Sequence, residues 1–189
     1  MLDVRKGGFV LATLLAAFAA EGNEKDIWLL VETKPHVMKV MEGEAGRDGR
    51  TLEVFDHIAI GRNGVGYDKQ RGDDKTPLGS YHIGWVNEKS RFGSFFGFNF
   101  PNHDNAKRAY DGGLIDAHTY RRLLSYQPEA EVPPQDTPLG GQIGIHGIGQ
   151  GSLQVHRHFD WTHGCIAVTN EQLDRLKQWI KKGTLVVIR

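Results

Sequence analysis

Cys165 is the only cysteine in a chain of 189 residues, and it closes the run Thr162-His163-Gly164-Cys165. Upstream stands His146, followed at once by Gly147. A free thiol has a pKa of about 8.5 and is only a few per cent thiolate at neutral pH, so nucleophilic sulfur chemistry needs a base beside it. The imidazole of His146 is such a base, and the pairing predicts a thiol pKa drawn below its free value. The carbonyl of Gly147 can orient the imidazole as the third member of a triad does. Gly164 permits close backbone approach, so amides around His163 and Gly164 are candidate oxyanion donors. A lone cysteine excludes a disulfide framework and a thiolate-rich zinc cluster, which both need several sulfurs. The alternative for Cys165 is an inert buried thiol.

These side chains need elements that aim them at one cleft. Residues 141–146 (GQIGIH) read as a strand with Ile143 and Ile145 on one face, which sends His146 to the other. In residues 162–168, Ile166 and Val168 share a face and leave Cys165 with Ala167 opposite. Short runs rich in branched and aromatic residues, 26–31, 36–41 and 52–60, read as strands of a meander, with a turn-prone stretch at 42–49. Residues 79–86 form a fourth strand with Tyr81, Ile83 and Trp85 on one side, entered through Lys75-Thr76-Pro77-Leu78-Gly79. Residues 91–101 carry Phe92, Phe95, Phe96, Phe98 and Phe100 among small residues, either as core or as an apolar wall beside a cleft, with Phe96 a candidate substrate contact. Residues 102–140 form an excursion with one short helix at 116–126 and a Pro-rich exit, the length of a lid. A capped helix over 169–182, with Leu173, Leu176, Trp179 and Ile180 as its apolar stripe and Gly183 as its C-cap, leads to a last strand at 185–188.

Lys plus Arg and Asp plus Glu number 23 each, so no global field draws nucleic acid or an anionic membrane surface. Arg5 and Lys6 precede an apolar run over residues 9–20, and Ala17 and Ala19 offer small residues at the positions a signal peptidase reads. The expected organisation is a signal peptide over 1–19, one catalytic domain over 20–189, and no membrane span once the leader is removed.

His146-Gly147, the intervening stretch, and Thr162-His163-Gly164-Cys165 resemble the signature of YkuD-type L,D-transpeptidases, a His followed at this distance by Ser or Thr-His-Gly-Cys. Lys75-Thr76-Pro77-Leu78-Gly79 is similar to that family's upstream turn, and Asn170 sits where the family often has Asn. The resemblance covers roughly residues 26–189, and residues 91–102 are similar to a Gram-negative branch. It implies a mainly β fold with short helices, a sandwich with a catalytic cleft and a C-terminal helix-strand unit. It also implies a periplasmic location and no metal or organic cofactor. By position it makes Cys165 the nucleophile, His146 the base, Gly147 the orienting carbonyl, and His163 with Gly164 the oxyanion region. Thr162, Arg157 and Phe96 are the candidate substrate contacts. The implied substrate is a peptidoglycan stem peptide, with a second stem, a wall-attached protein or water as acceptor. One departure is Ala167, where many members have Arg. Two readings of other classes stand beside this one: a metal site drawn from His146, His156, His158, His163 and Cys165, and a wall-binding module without catalysis. In the metal reading His156-x-His158 is the pair on one side of a strand, whereas otherwise both flank Arg157 on a solvated loop.

Overall fold

The structure, a computed structural model, describes residues 26–45, 49–128 and 131–189. The leader expected over residues 1–19 lies outside the described residues. Among those described, no helix is long and apolar enough to cross a membrane. The elements are β1 (Ile27–Glu32), β2 (Val37–Glu42), β3 (Arg50–Phe55), β4 (Val65–Gly66), β5 (Thr76–Pro77), β6 (Gly79–Ser90), β7 (Gly93–Phe98), α1 (His103–Asp111), α2 (Ala117–Leu124), β8 (Gly144–His146), α3 (Leu153–His158), β9 (Ile166–Ala167), α4 (Asn170–Leu176) and β10 (Leu185–Ile188).

The mainly β class expected from the sequence is present as a mixed eight-stranded sheet in the order β3-β2-β1-β10-β6-β7-β8-β9, with β4 and β5 forming a small parallel pair. The long strand β6 links its halves: Gly79–His82 pair with β10, and the stretch from Ile83 onward pairs with β7, with a register shift between Ile83 and Trp85. Tyr81 and Ile83 are buried as the alternation requires, whereas Trp85 lies past the shift, half-buried over Gly97. A Cβ on Gly97 would come within 2.1 Å of the Trp85 ring, which accounts for a glycine inside the phenylalanine run. The phenylalanines divide between both readings of that run. Phe96, Phe98 and Phe100 enter the core, while Phe92 and Phe95 stay half-buried on the side of the candidate site.

Pairing of β3 with β2 ends at Phe55, short of the residue 60 expected. His57 then turns with φ 53°, and residues 58–60 cross to β9, where Ala59 forms a bridge with Ala167. The excursion over 102–140 docks on the body by burying Ala106, Ala109, Leu123 and Leu139 in the main core. The capping box Thr169–Gln172 opens α4 as expected, but the α-helix stops at Lys177 and not near residue 182. The next turn tightens to an i→i−3 bond, Trp179 N–H to Leu176 O at 3.0 Å, which still buries Ile180. Gly183 is therefore no helix cap; with φ 90° it turns the chain into β10.

Candidate active site

His146 ends β8, antiparallel to β7 and parallel to β9, with Phe95 and Ala167 as its register partners. Ile145 points into the core, so alternation turns His146 to the opposite face, as the sequence pattern requires. The imidazole is nevertheless buried, because aromatic side chains enclose it. Phe92 stacks at 4.6 Å between ring centroids, Phe95 at 6.3 Å, and Trp161 meets it edge-on at 5.7 Å. Its Nδ1 lies 2.7 Å from Gly147 O. A carbonyl only accepts, so Nδ1 carries the proton and Nε2 keeps the basic lone pair. Burial lowers the His146 pKa, the Gly147 bond opposes that, and Arg91 adds a smaller lowering.

Gly147 has no room for a side chain, since a Cβ would sit 2.6 Å from Asn170 Oδ1 and 2.8 Å from Phe92 O. Asn170 at the start of α4 bonds both backbone groups of Gly149, which fixes the loop behind His146. Trp161 donates to His156 Nδ1 at 3.3 Å, so the buried His156 holds the ring that packs on His146. Phe92 and Trp161 also wall a cavity of about 570 Å³ reached by Arg91, Ile148, Ser152 and Val155.

Cys165 precedes β9 and is half-buried. Its thiol donates to Gln142 O at 3.4 Å, and the Gly144 amide donates to its sulfur. Burial pushes the thiol up to about 11, against smaller lowering effects from Gly144 and the Lys69 ammonium. This differs from the lowered value expected from the sequence. The physical reason is that the sulfur is desolvated without a hydrogen bond to the imidazole, so the resting pair is neutral. Gln142 adopts φ 55° and is held by Gln135, whose Oε1 accepts its N–H at 2.7 Å while its Nε2 donates to the carbonyls of Phe100 and Pro133.

Thr162 and Gly164 have loop-shaping parts. Thr162 Oγ1 donates to Cys165 O at 2.7 Å and accepts from Gly164 N–H at 3.1 Å. Thr162 is buried, and its hydroxyl closes the turn that presents the thiol. The Gly164 amide thus points at the Thr162 hydroxyl. His163 turns outward to Asp74, with Nδ1 to Oδ1 at 2.7 Å, and Arg62 lies against the same ring.

Phe96 is 4% exposed in the core opposite Ile145, and the aromatics beside His146 are its neighbours Phe92 and Phe95. Arg157 sits on α3 and lines a separate cavity of about 370 Å³ with His36, His57, His156, His158 and Asp160. The stretch expected to be a solvated loop at His156 and His158 is helix α3, and His156 is buried. Among the described residues no group of three or more His, Cys, Asp or Glu side chains is arranged to hold a metal ion. Ala167 is fully buried as the register partner of His146, and its backbone pairs in both directions with Ala59. Lys69, Gln135, Gln142 and Trp161 also belong to the site's surroundings, and their residue types carry no signal in the sequence without the contacts that bring them there.

The sequence matches the family YkuD, described as the L,D-transpeptidase catalytic domain, over residues 26–188. No curated protein sequence matches it. Among solved structures it is similar to the helical cell shape determining protein Pgp2 from Campylobacter jejuni, with a TM-score of 0.58 and 22% identity over 88% of this chain and 48% of that one. It is also similar to Bd1075 from Bdellovibrio bacteriovorus, with a TM-score of 0.55 and 19% identity over 87% of this chain and 48% of that one. The chain thus spans about half the length of these structures.

Proposed function

Since the chain belongs to the YkuD family of L,D-transpeptidase catalytic domains, we propose that it is an exported, periplasmic cysteine enzyme that cuts peptidoglycan stem peptides through a thioester on Cys165. The sulfur attacks the carbonyl carbon of the third-position diamino acid while the S–H proton passes to His146 Nε2 and the carbonyl π pair moves onto oxygen. Collapse of that intermediate breaks the C–N bond. His146 returns its proton to the departing amine, and the terminal D-amino acid leaves. An amine of a second stem or of a protein then attacks the thioester and gives a cross-link or a tether, and water gives a shortened stem. Phe92, Phe95 and Trp161 keep water from the imidazole and hold its ring plane, which favours proton transfer along one line.

The observation that carries this reading is the contact of His146 Nδ1 with Gly147 O. With Nδ1–H committed to Gly147 O at 2.7 Å, the ring has one basic nitrogen left, and β8 sets it beside the strand that follows Cys165. Its burial-lowered pKa keeps that nitrogen unprotonated at neutral pH, the state a general base needs. The test is incubation of purified protein with defined muropeptides, followed by intact-protein and product mass spectrometry. An acyl adduct on Cys165, absent in Cys165→Ala, supports the reading. Turnover that persists in Cys165→Ala overturns it, and product masses separate the three acceptors.

A further inference from the structure

Lys69 is 4% exposed, an unusual place for an ammonium. Its stem passes a small cavity lined by Phe100, Asn105, Ala109 and Leu139, so the docked excursion covers it. Its Nζ meets Asp73 Oδ1 at 2.8 Å and the carbonyl of His163 at 3.5 Å. A Cβ on Gly164 would lie 3.1 Å from the same Nζ. The charge therefore meets the backbone of His163 and lies beside Gly164, the two residues that precede Cys165. Pairing alone does not require such burial: Lys107 and Asp111 make the same i,i+4 contact at 2.7 Å on the solvated side of α1. Asp73 is also shared, since it accepts from the amides of Gln70 and Lys75. The other titratable groups at this loop are Arg62, Asp74 and His163, which group together at the surface, and His146 in β8, which pairs with the strand after Cys165. At Ala167 the buried position offers no cation.

We propose that Lys69 is a positioning residue whose enclosed ammonium stabilises the negative charge that develops at the Cys165 loop. The role rests on the reading of Cys165 as nucleophile. In a desolvated site an opposite charge within about 4–6 Å shifts a titrating group by one or more pKa units. The direction found for the thiol agrees, since Lys69 lowers a pKa that burial raises.

Because Cys165 is the only cysteine, 13Cβ-cysteine labelling gives a single resonance that reports its ionisation, and iodoacetamide reacts at a single thiol. At fixed pH, Lys69→Met should slow alkylation by about tenfold and delay the resonance shift to higher pH. Asp73→Asn keeps the ammonium but removes its counter-charge, and should speed alkylation severalfold. An ion pair that only stabilises the fold lowers the melting temperature in both variants and moves alkylation in neither, or in the same direction in both. Either result overturns the proposal. If Lys69→Met does not fold, Asp73→Asn alone decides, with faster alkylation in support and an unchanged or slower rate against. No muropeptide enters this measurement, so a wild type that forms no thioester defeats the functional reading without altering what the thiol reports about Lys69.

Discussion

The thiol of Cys165 donates to the carbonyl of Gln142, 3.4 Å away, while the imidazole of His146 is turned by its 2.7 Å bond to Gly147. The thiol and the imidazole are therefore engaged with separate carbonyls, and burial favours the neutral form of each. Alkylation of wild-type protein should then show no thiolate plateau near neutrality, and its rate should climb about tenfold per pH unit from 7 to 9, the behaviour of a thiol well above its ambient pH. A plateau below pH 8 would show a preformed ion pair. His146→Ala should leave that alkylation profile nearly unchanged and yet cost about 10²–10⁴ in turnover, because the base acts in the transition state.

Gln135 holds the acceptor of this thiol in place. Its amide bonds Gln142 N–H at 2.7 Å, Phe100 O at 2.9 Å and Pro133 O at 2.8 Å. Gln135→Ala leaves these groups without their partner and should cost about 1–3 kcal/mol in urea unfolding. It also frees Gln142, whose φ of 55° is otherwise disfavoured for a side-chain-bearing residue. Turnover should fall by more than KM rises, since the damage is to the nucleophile's setting and not to a substrate contact. Equal stability in the variant would remove Gln135 from this role.

How far the sequence foretells this site depends on the range of each interaction. Strand alternation is local, so the opposite facing of Ile145 and His146, the Thr169–Gln172 capping box, and the left-handed Gly79 with φ 136° are legible in short runs. The division of the phenylalanines is not legible, because Phe95 and Phe96 are adjacent and only pairing with β8 decides which one meets His146. The bond of the Thr162 hydroxyl to Cys165 O is likewise not legible, since it forms only in the folded turn. The elements from β5 to α3 lie in sequence between Lys69 and Cys165, and the burial of Lys69 follows from docking of the excursion, which no periodicity encodes. The raised thiol pKa has the same origin, for desolvation is a property of the packed site.

Two histidines near the site make the fold acid-sensitive. Burial lowers the pKa of both His146 and His156 from the usual 6.5, so below that value the unfolded chain takes up protons that the native state refuses. Stability is then lost as pH falls from 6.5, by up to about 1.4 kcal/mol per pH unit for each histidine, and is fully present above it. Melting temperature measured from pH 7.5 to 5 should fall over this window, above the range where carboxylates titrate. His156→Gln keeps an acceptor for Trp161 and should make the fall shallower. An unchanged slope would place the acid sensitivity elsewhere.

Ala167 offers the sharpest test of how β9 is built. The residue is fully buried, stands in parallel register with His146, and pairs with Ala59 through bonds of 2.9 and 2.8 Å. Parallel partners present side chains on the same face, so its methyl group shares the enclosed side on which the imidazole lies. An arginine here, the residue that many resembling chains carry, would place a guanidinium where the register supplies an imidazole and no carboxylate. An unpaired buried charge costs several kcal/mol, and the added volume must also separate β9 from Ala59. Ala167→Arg should therefore destabilise the protein by more than about 3 kcal/mol in denaturant unfolding. Ala167→Ser, close in volume and able to bond locally, should cost only about 1–2 kcal/mol. Thioester formation should persist in the serine variant and be lost with the fold in the arginine variant. If Ala167→Arg is as stable as the parent and turns over stem peptide, the side chain at this position reaches the cleft, and the enclosed face assigned to β9 is wrong.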